Sequence, residues 1–105
     1  METFVSEDKN QWYRVWSDGW IEQSGYNFTT SSIKNAYVVQ TLLKPFTNTN
    51  YTVLLSHASK SQTYHAGTSL YLFSDNYTLT SFAYTARGGD GSNYMCSSVW
   101  YACGY

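Results

Sequence analysis

Apolar residues recur at every second position in short runs along this chain, and no stretch carries a helical period of useful length, so the pattern predicts strands throughout. The clearest run, residues 12–23, reads W-Y-R-V-W-S-D-G-W-I-E-Q and holds three of the four tryptophans. Asp-Gly between aromatic and β-branched residues is a strong hairpin signal, because glycine reaches a positive φ without steric cost. A two-residue loop would set Trp16 against Ile21 and Val15 against Glu22, mixing apolar and charged groups on both faces. A loop of Ser17, Asp18 and Gly19, with Gly19 left-handed, instead sets Trp16 against Trp20, Val15 against Ile21 and Arg14 against Glu22. The second register is preferred. It turns Tyr13, Val15, Ile21 and Gln23 to a core and gives Trp12, Arg14, Trp16, Trp20 and Glu22 a common second face.

Further strands are expected over residues 36–44, closed by Pro45, over 51–57, 69–73 and 78–85, and over 94–101. In the fourth of these, Phe82 and Tyr84 share one side. Asp75-Asn76 marks a turn. Residues 24–35 and 59–68 read as long polar loops, and 87–93, with three glycines, as a mobile connection. Residues 1–11 are polar and aperiodic, a lead-in segment ahead of a single domain over 12–105. The expected fold is all-β, a small antiparallel β-sandwich of about seven strands.

Composition narrows the function. The 105 residues hold one domain. They are 19% aromatic and only 12% charged with a net charge of −1, which disfavours nucleic acid and anionic membranes as partners. No apolar run is long enough for membrane insertion, and the N-terminus lacks a secretory signal. Cys96 and Cys103, an odd spacing apart, point to opposite faces of a continuous strand, so free buried thiols are expected. The exposed-looking tryptophan face is different in kind. Three indoles form a larger apolar patch than a monomer leaves open, so a second sheet or a second subunit should cover Trp12, Arg14, Trp16, Trp20 and Glu22. Arg14 and Glu22 are expected to pair there across the hairpin.

Candidate chemistry is sparse. His57, Asp18, Asp75 and several serines lack any triad context, and His57 reads as a strand-end structural side chain. His57 and His65 lack a metal-ligand spacing, and the cysteines form no C-x-x-C. Glu22 has Arg14 as its expected partner and Asp75 and Asp90 fall in turns, so no glycosidase pair is read. No catalytic residue, metal or cofactor is predicted. Two loops offer recognition chemistry instead. Arg87, Asp90 and Asn93 supply directional hydrogen bonds and Tyr94 a stacking face, while Gln62, Tyr64 and His65 form a second set.

The opening W-Y-R-V-W-S-D-G-W-I-E-Q, the central F-T-N-T-N-Y-T-V and the closing W-Y-A-C-G-Y occur here in that order. Together they resemble the C-terminal tip domains of bacteriophage tail fibres, over nearly all of the chain from Trp12 to Tyr105. The resemblance implies a homotrimeric β-sandwich that ends the fibre, belongs to the virion after folding in the host bacterial cytoplasm, and mediates host adhesion by binding a surface glycan or outer-surface protein. A polar lead-in before a built-in last strand fits a terminal module. The shaft and attachment regions of a whole fibre are not among these residues. Eleven tyrosines with abundant Asn, Ser and Gly suit a recognition surface. The alternative is a monomeric carbohydrate-binding module of a cell-wall hydrolase, with one aromatic platform exposed.

Overall fold

Gly19, at φ 93°, closes the first tryptophan hairpin in the three-residue form. The Trp16 amide donates to the Trp20 carbonyl at 2.8 Å and the Gly19 amide to the Trp16 carbonyl at 2.9 Å. Val15 then faces Ile21 and Arg14 faces Glu22, as the hydrophobic pattern required. The computed structural model describes residues 1–27, 32–33, 38–57, 69–87, 94–95 and 98–105. Among these lie ten strands: β1 (Glu2–Val5), β2 (Trp12–Val15), β3 (Ile21–Asn27), β4 (Ser32–Ile33), β5 (Val38–Thr41), β6 (Thr52–His57), β7 (Ser69–Leu72), β8 (Ser81–Arg87), β9 (Tyr94–Met95) and β10 (Ser98–Gly104). A 3₁₀ turn, Ser74–Asn76, joins β7 to β8.

The strands build a five-stranded sheet in the order β1-β2-β3-β10-β6, a three-stranded sheet β5-β8-β7 and a short β4-β9 ribbon. Every pairing is antiparallel. The two larger sheets face each other across one core, the arrangement of a small β-sandwich. Phe82 and Tyr84 of β8, both fully buried, meet Trp100 and Ser98 of β10. The Phe82 ring stands edge-on to Trp100 at 5.5 Å, and the Ser98 hydroxyl donates to the Tyr84 hydroxyl at 3.1 Å. At the other end of the core, Phe46, Tyr51 and Tyr77 form a continuous stack with centroid spacings of 4.2 and 4.9 Å. Tyr51 donates its hydroxyl between the Thr78 and Ser81 carbonyls, each 2.7 Å away, so the polar atom at the centre of the stack is satisfied.

A polar side chain holds the layers together. Gln23 lies fully buried on the inner face of β3. Its amide donates to the Lys44 carbonyl at 2.7 Å, and its oxygen accepts the Leu43 and Lys44 amides at 2.8 and 3.0 Å. The run 36–44 predicts a strand through residue 44; beyond Thr41 the Leu42 amide donates to the Thr80 carbonyl at 2.8 Å, and Gln23 supplies the hydrogen bonds of Leu43 and Lys44 that a neighbouring strand would have given them. Gly104 allows the same close packing at the end of β10, where a Cβ would sit 2.7 Å from Tyr51 Cβ.

Several boundaries differ from the sequence reading. Residues 2–5 form a strand rather than an unpaired lead-in, although all four side chains are exposed and none belongs to the core. Consecutive Phe4 and Val5 put apolar groups on both faces and erase the alternation that would announce a strand. The connection to β2 is drawn in by Asp8, which accepts the Ser6 hydroxyl at 2.6 Å and the Asn10 amide at 3.0 Å, with Lys9 left-handed at φ 66°. The run 78–85 begins as a turn, because Thr78 Oγ1 accepts the Thr80 and Ser81 amides before β8 starts. The final strand over 94–101 is divided into β9 and β10. Cys103 is free and half-buried on the outer face rather than in the core, while Cys96 lies outside the described residues.

Replacing Gln23 with Leu keeps the bulk but strips partners from two amides and a carbonyl. Urea unfolding should show a loss of about 2–4 kcal/mol. A loss below about 0.5 kcal/mol, the range of neutral surface changes, would mean the clamp is not structural.

Candidate functional site

The outer face of the five-stranded sheet is where the unusual surface lies. Along β10, Ser98, Trp100, Ala102 and Gly104 are buried, while Val99, Tyr101 and Cys103 between them point outward. Cross-strand register carries this face over the whole sheet: Val5 opposes Trp12, Trp12 opposes Ser24, Ser24 opposes Tyr101, and Tyr101 opposes Leu54. The row is apolar except for Ser24, whose hydroxyl is turned to the Trp100 carbonyl at 2.7 Å. Leu54 is 62% exposed and Val5 55%. Trp12 and Tyr101 between them are half-buried.

The neighbouring row, from Arg14 to Glu22 and Cys103, departs from expectation. Arg14 and Glu22 are cross-strand partners but do not pair. The Arg14 guanidinium lies 5.1 Å from the centroid of Trp12. Glu22 accepts the Trp16 indole N–H at 2.8 Å and the Tyr101 hydroxyl at 3.2 Å. Indole and phenol donors on the same face reach the carboxylate, and the flat guanidinium gains more from the indole face than from a shared partner. Burial first, then the Glu22 carboxylate, push the Tyr101 phenol up to about 12.

Beyond this row the hairpin tip forms a shallow open concavity of about 380 Å³, lined by Trp16, Ser17, Asp18, Trp20 and Glu22. Its walls are held from behind. Tyr105 packs edge-on against Trp20 at 5.1 Å and donates its hydroxyl to Asp18 at 3.3 Å. The Tyr105 carbonyl in turn accepts the Thr47 amide and hydroxyl, both at 2.8 Å. Asp18 also caps the turn by accepting the Trp20 amide at 3.0 Å. Trp16 remains 39% exposed.

The five expected interface residues therefore share one face but divide into two groups: Trp12 with Arg14 upon it, and Trp16, Trp20 and Glu22 at the tip. The sequence reading missed Tyr101, Tyr105 and Leu54. The alternation of small and large residues in the closing strand carries the signal for the first two. Of the recognition candidates, Arg87 ends β8 opposite Ser69, and Tyr94 begins β9 opposite Ile33. Asp90, Asn93, Gln62, Tyr64 and His65 lie outside the described residues. The strand ends flanking those segments are gathered together, with Ser98 between Asn27 and His57 and above Tyr84 of β8. Glu2, the hairpin tip and Tyr105 lie at the opposite end of the sandwich.

No family model, curated protein or solved structure matches this chain.

Burial also pushes the Tyr51 phenol up to about 12. Tyr51 and Tyr101 thus ionise later folded than unfolded, so the stability they lend is complete below pH ~10 and is lost as pH rises towards about 12. Alkaline absorbance titration should resolve a late-ionising tyrosine population. Glu22→Gln should bring Tyr101 forward and leave Tyr51 in place; an unchanged titration would remove Glu22 as a cause.

Proposed function

We propose that this chain is the receptor-binding tip of a bacteriophage tail fibre, a homotrimer that adheres to the host by binding a glycan or protein of the bacterial surface. The observation that carries the reading is the outer-face row Val5, Trp12, Tyr101 and Leu54, contributed by four of the five strands of one sheet, with Val5 and Leu54 exposed and Trp12 and Tyr101 half-buried. An apolar row of this extent fits burial against further copies of the chain, where interface centres lose charge and gain tyrosine and tryptophan.

The motifs behind the resemblance are accounted for as framework. Ser17, Asp18 and Gly19 make the turn, Gln23 clamps Leu43 and Lys44, and Phe46, Tyr51 and Val53 fill the core. Trp100, Ala102 and Gly104 complete it from β10. A framework of this kind leaves recognition to the connections between strands, in keeping with the placement of variable contacts on loops carried by a rigid scaffold. The connections that hold Gln62, Tyr64, His65, Asp90 and Asn93 leave strands at the end away from Glu2. A fibre body joined through the N-terminus would lie on the far side from them. In this reading the molecule is a virion component that binds and does no chemistry.

Leu54 separates assembly from folding, since its side chain is largely exposed in the single chain. Sedimentation of the wild type at micromolar concentration should give three times the chain mass. Leu54→Glu should remain folded and sediment as a monomer, and its retention on intact host cells should fall about tenfold or more through lost multivalency. A monomeric wild type, or a Leu54→Glu variant that assembles normally, would contradict the reading.

A further inference from the structure

We infer that the concavity at the hairpin tip is a binding site for an alkylated ammonium group, a role separate from assembly and from the recognition loops. The starting point is the charge left over when Arg14 turns to Trp12. Asp18 and Glu22 both line the concavity, and every donor the structure gives them is neutral: the Trp20 amide and Tyr105 hydroxyl for Asp18, the Trp16 indole and Tyr101 hydroxyl for Glu22. Among the described residues the ion pair is elsewhere, between Lys44 and Glu2 at 3.1 Å. Among the described residues, the tip therefore holds two carboxylates with no cationic side chain paired to either.

The remaining walls are Trp16 and Trp20, with Ser17 between them along the turn. An indole face attracts cations through its quadrupole, most strongly those that shed water easily, and alkylated ammonium groups do so. Trp16 is a better face than a free indole, because its N–H donates to a carboxylate at 2.8 Å and that bond drives electron density into the ring. The same chain supplies an internal example of the contact, Arg14 over Trp12 at 5.1 Å. A divalent metal is a poorer occupant, since indoles offer it no oxygen ligand. A neutral sugar would leave both charges uncompensated, and an anion would be repelled.

The site is built before any ligand arrives. Trp16 is pinned by Glu22, Trp20 by Tyr105, and Tyr105 by Asp18 and Thr47. Little ordering cost is left for binding. The concavity lies beside the apolar row: Trp16 is four residues along the chain from Trp12, about 13 Å at the rise of an extended strand, while Glu22 on its wall accepts the hydroxyl of Tyr101 at 3.2 Å.

Tetramethylammonium chloride is the probe. The protein labelled on its indole nitrogens would be titrated and followed by NMR, with sodium chloride at matched ionic strength and glucose run in parallel. Saturable shifts of the Trp16 and Trp20 indole resonances with tetramethylammonium alone are expected. Trp16→Leu and Glu22→Gln alter exposed or half-exposed groups, and each should weaken binding about three- to tenfold while circular dichroism stays unchanged. Shifts no larger than those with sodium chloride, equal binding in both variants, or saturation by glucose in place of the cation would each overturn the assignment.

Discussion

The register of one hairpin decides which half of this molecule faces inward. In a strand the side chains alternate strictly, so a slip of one residue at Gly19 would carry Ile21 and Gln23 to solvent and Glu22 to the core. A left-handed glycine at the third loop position prevents the slip, and the bonds that close the loop run from the Gly19 amide to the Trp16 carbonyl and from the Trp16 amide to the Trp20 carbonyl. Everything described above inherits that choice. With Gln23 inward, Leu43 and Lys44 can be held without a strand beside them, and the Phe46, Tyr51 and Tyr77 stack can close one end of the core. With Glu22 outward, Trp16 and Tyr101 gain a common acceptor.

The two faces of the five-stranded sheet are thus given opposite tasks. The inner face is specified residue by residue: Gly25 has room for nothing more beneath Trp100, where a Cβ would stand 3.0 Å from the indole, and Gly104 none beneath Tyr51. The outer face carries larger groups than it can bury. Trp16, Tyr101 and Tyr105 there donate to carboxylates, and the Trp16 and Tyr105 rings are left partly open. A sheet so finished suits contact on its outside, as proposed for the apolar row with copies of the chain and for the tip with a cation.

Much of this was written in the sequence wherever alternation and turn chemistry agreed. The hairpin register, the inward Gln23, the paired Phe82 and Tyr84 and the all-β architecture follow from period-two patterning and the Asp-Gly turn. Long-range partners were not legible. Nothing near Glu22 in sequence announces Tyr101, which is 79 residues away, and nothing near Asp18 announces Tyr105. The expected Arg14–Glu22 bridge failed for the same reason: local reasoning weighed only the cross-strand neighbour and not the indole beside it. The strand β1 was hidden because its apolar residues are adjacent rather than alternate. The candidate recognition residues were read from loop composition alone, and five of those seven lie outside the described residues, so their geometry adds nothing to that reading.

The central claim is that the outer face of the five-stranded sheet is covered in the working protein. Leu54 and Val39 make a matched pair for testing it, because the single chain exposes them almost equally, at 62% and 56%, on different sheets. Hydroxyl-radical footprinting of the intact protein at micromolar concentration reads both at once. Coverage predicts that Leu54, with Trp12 and Tyr101, is labelled several-fold more slowly than Val39 and the similarly exposed Tyr71. Leu54 labelled as fast as Val39 would show that face open to water and contradict the account.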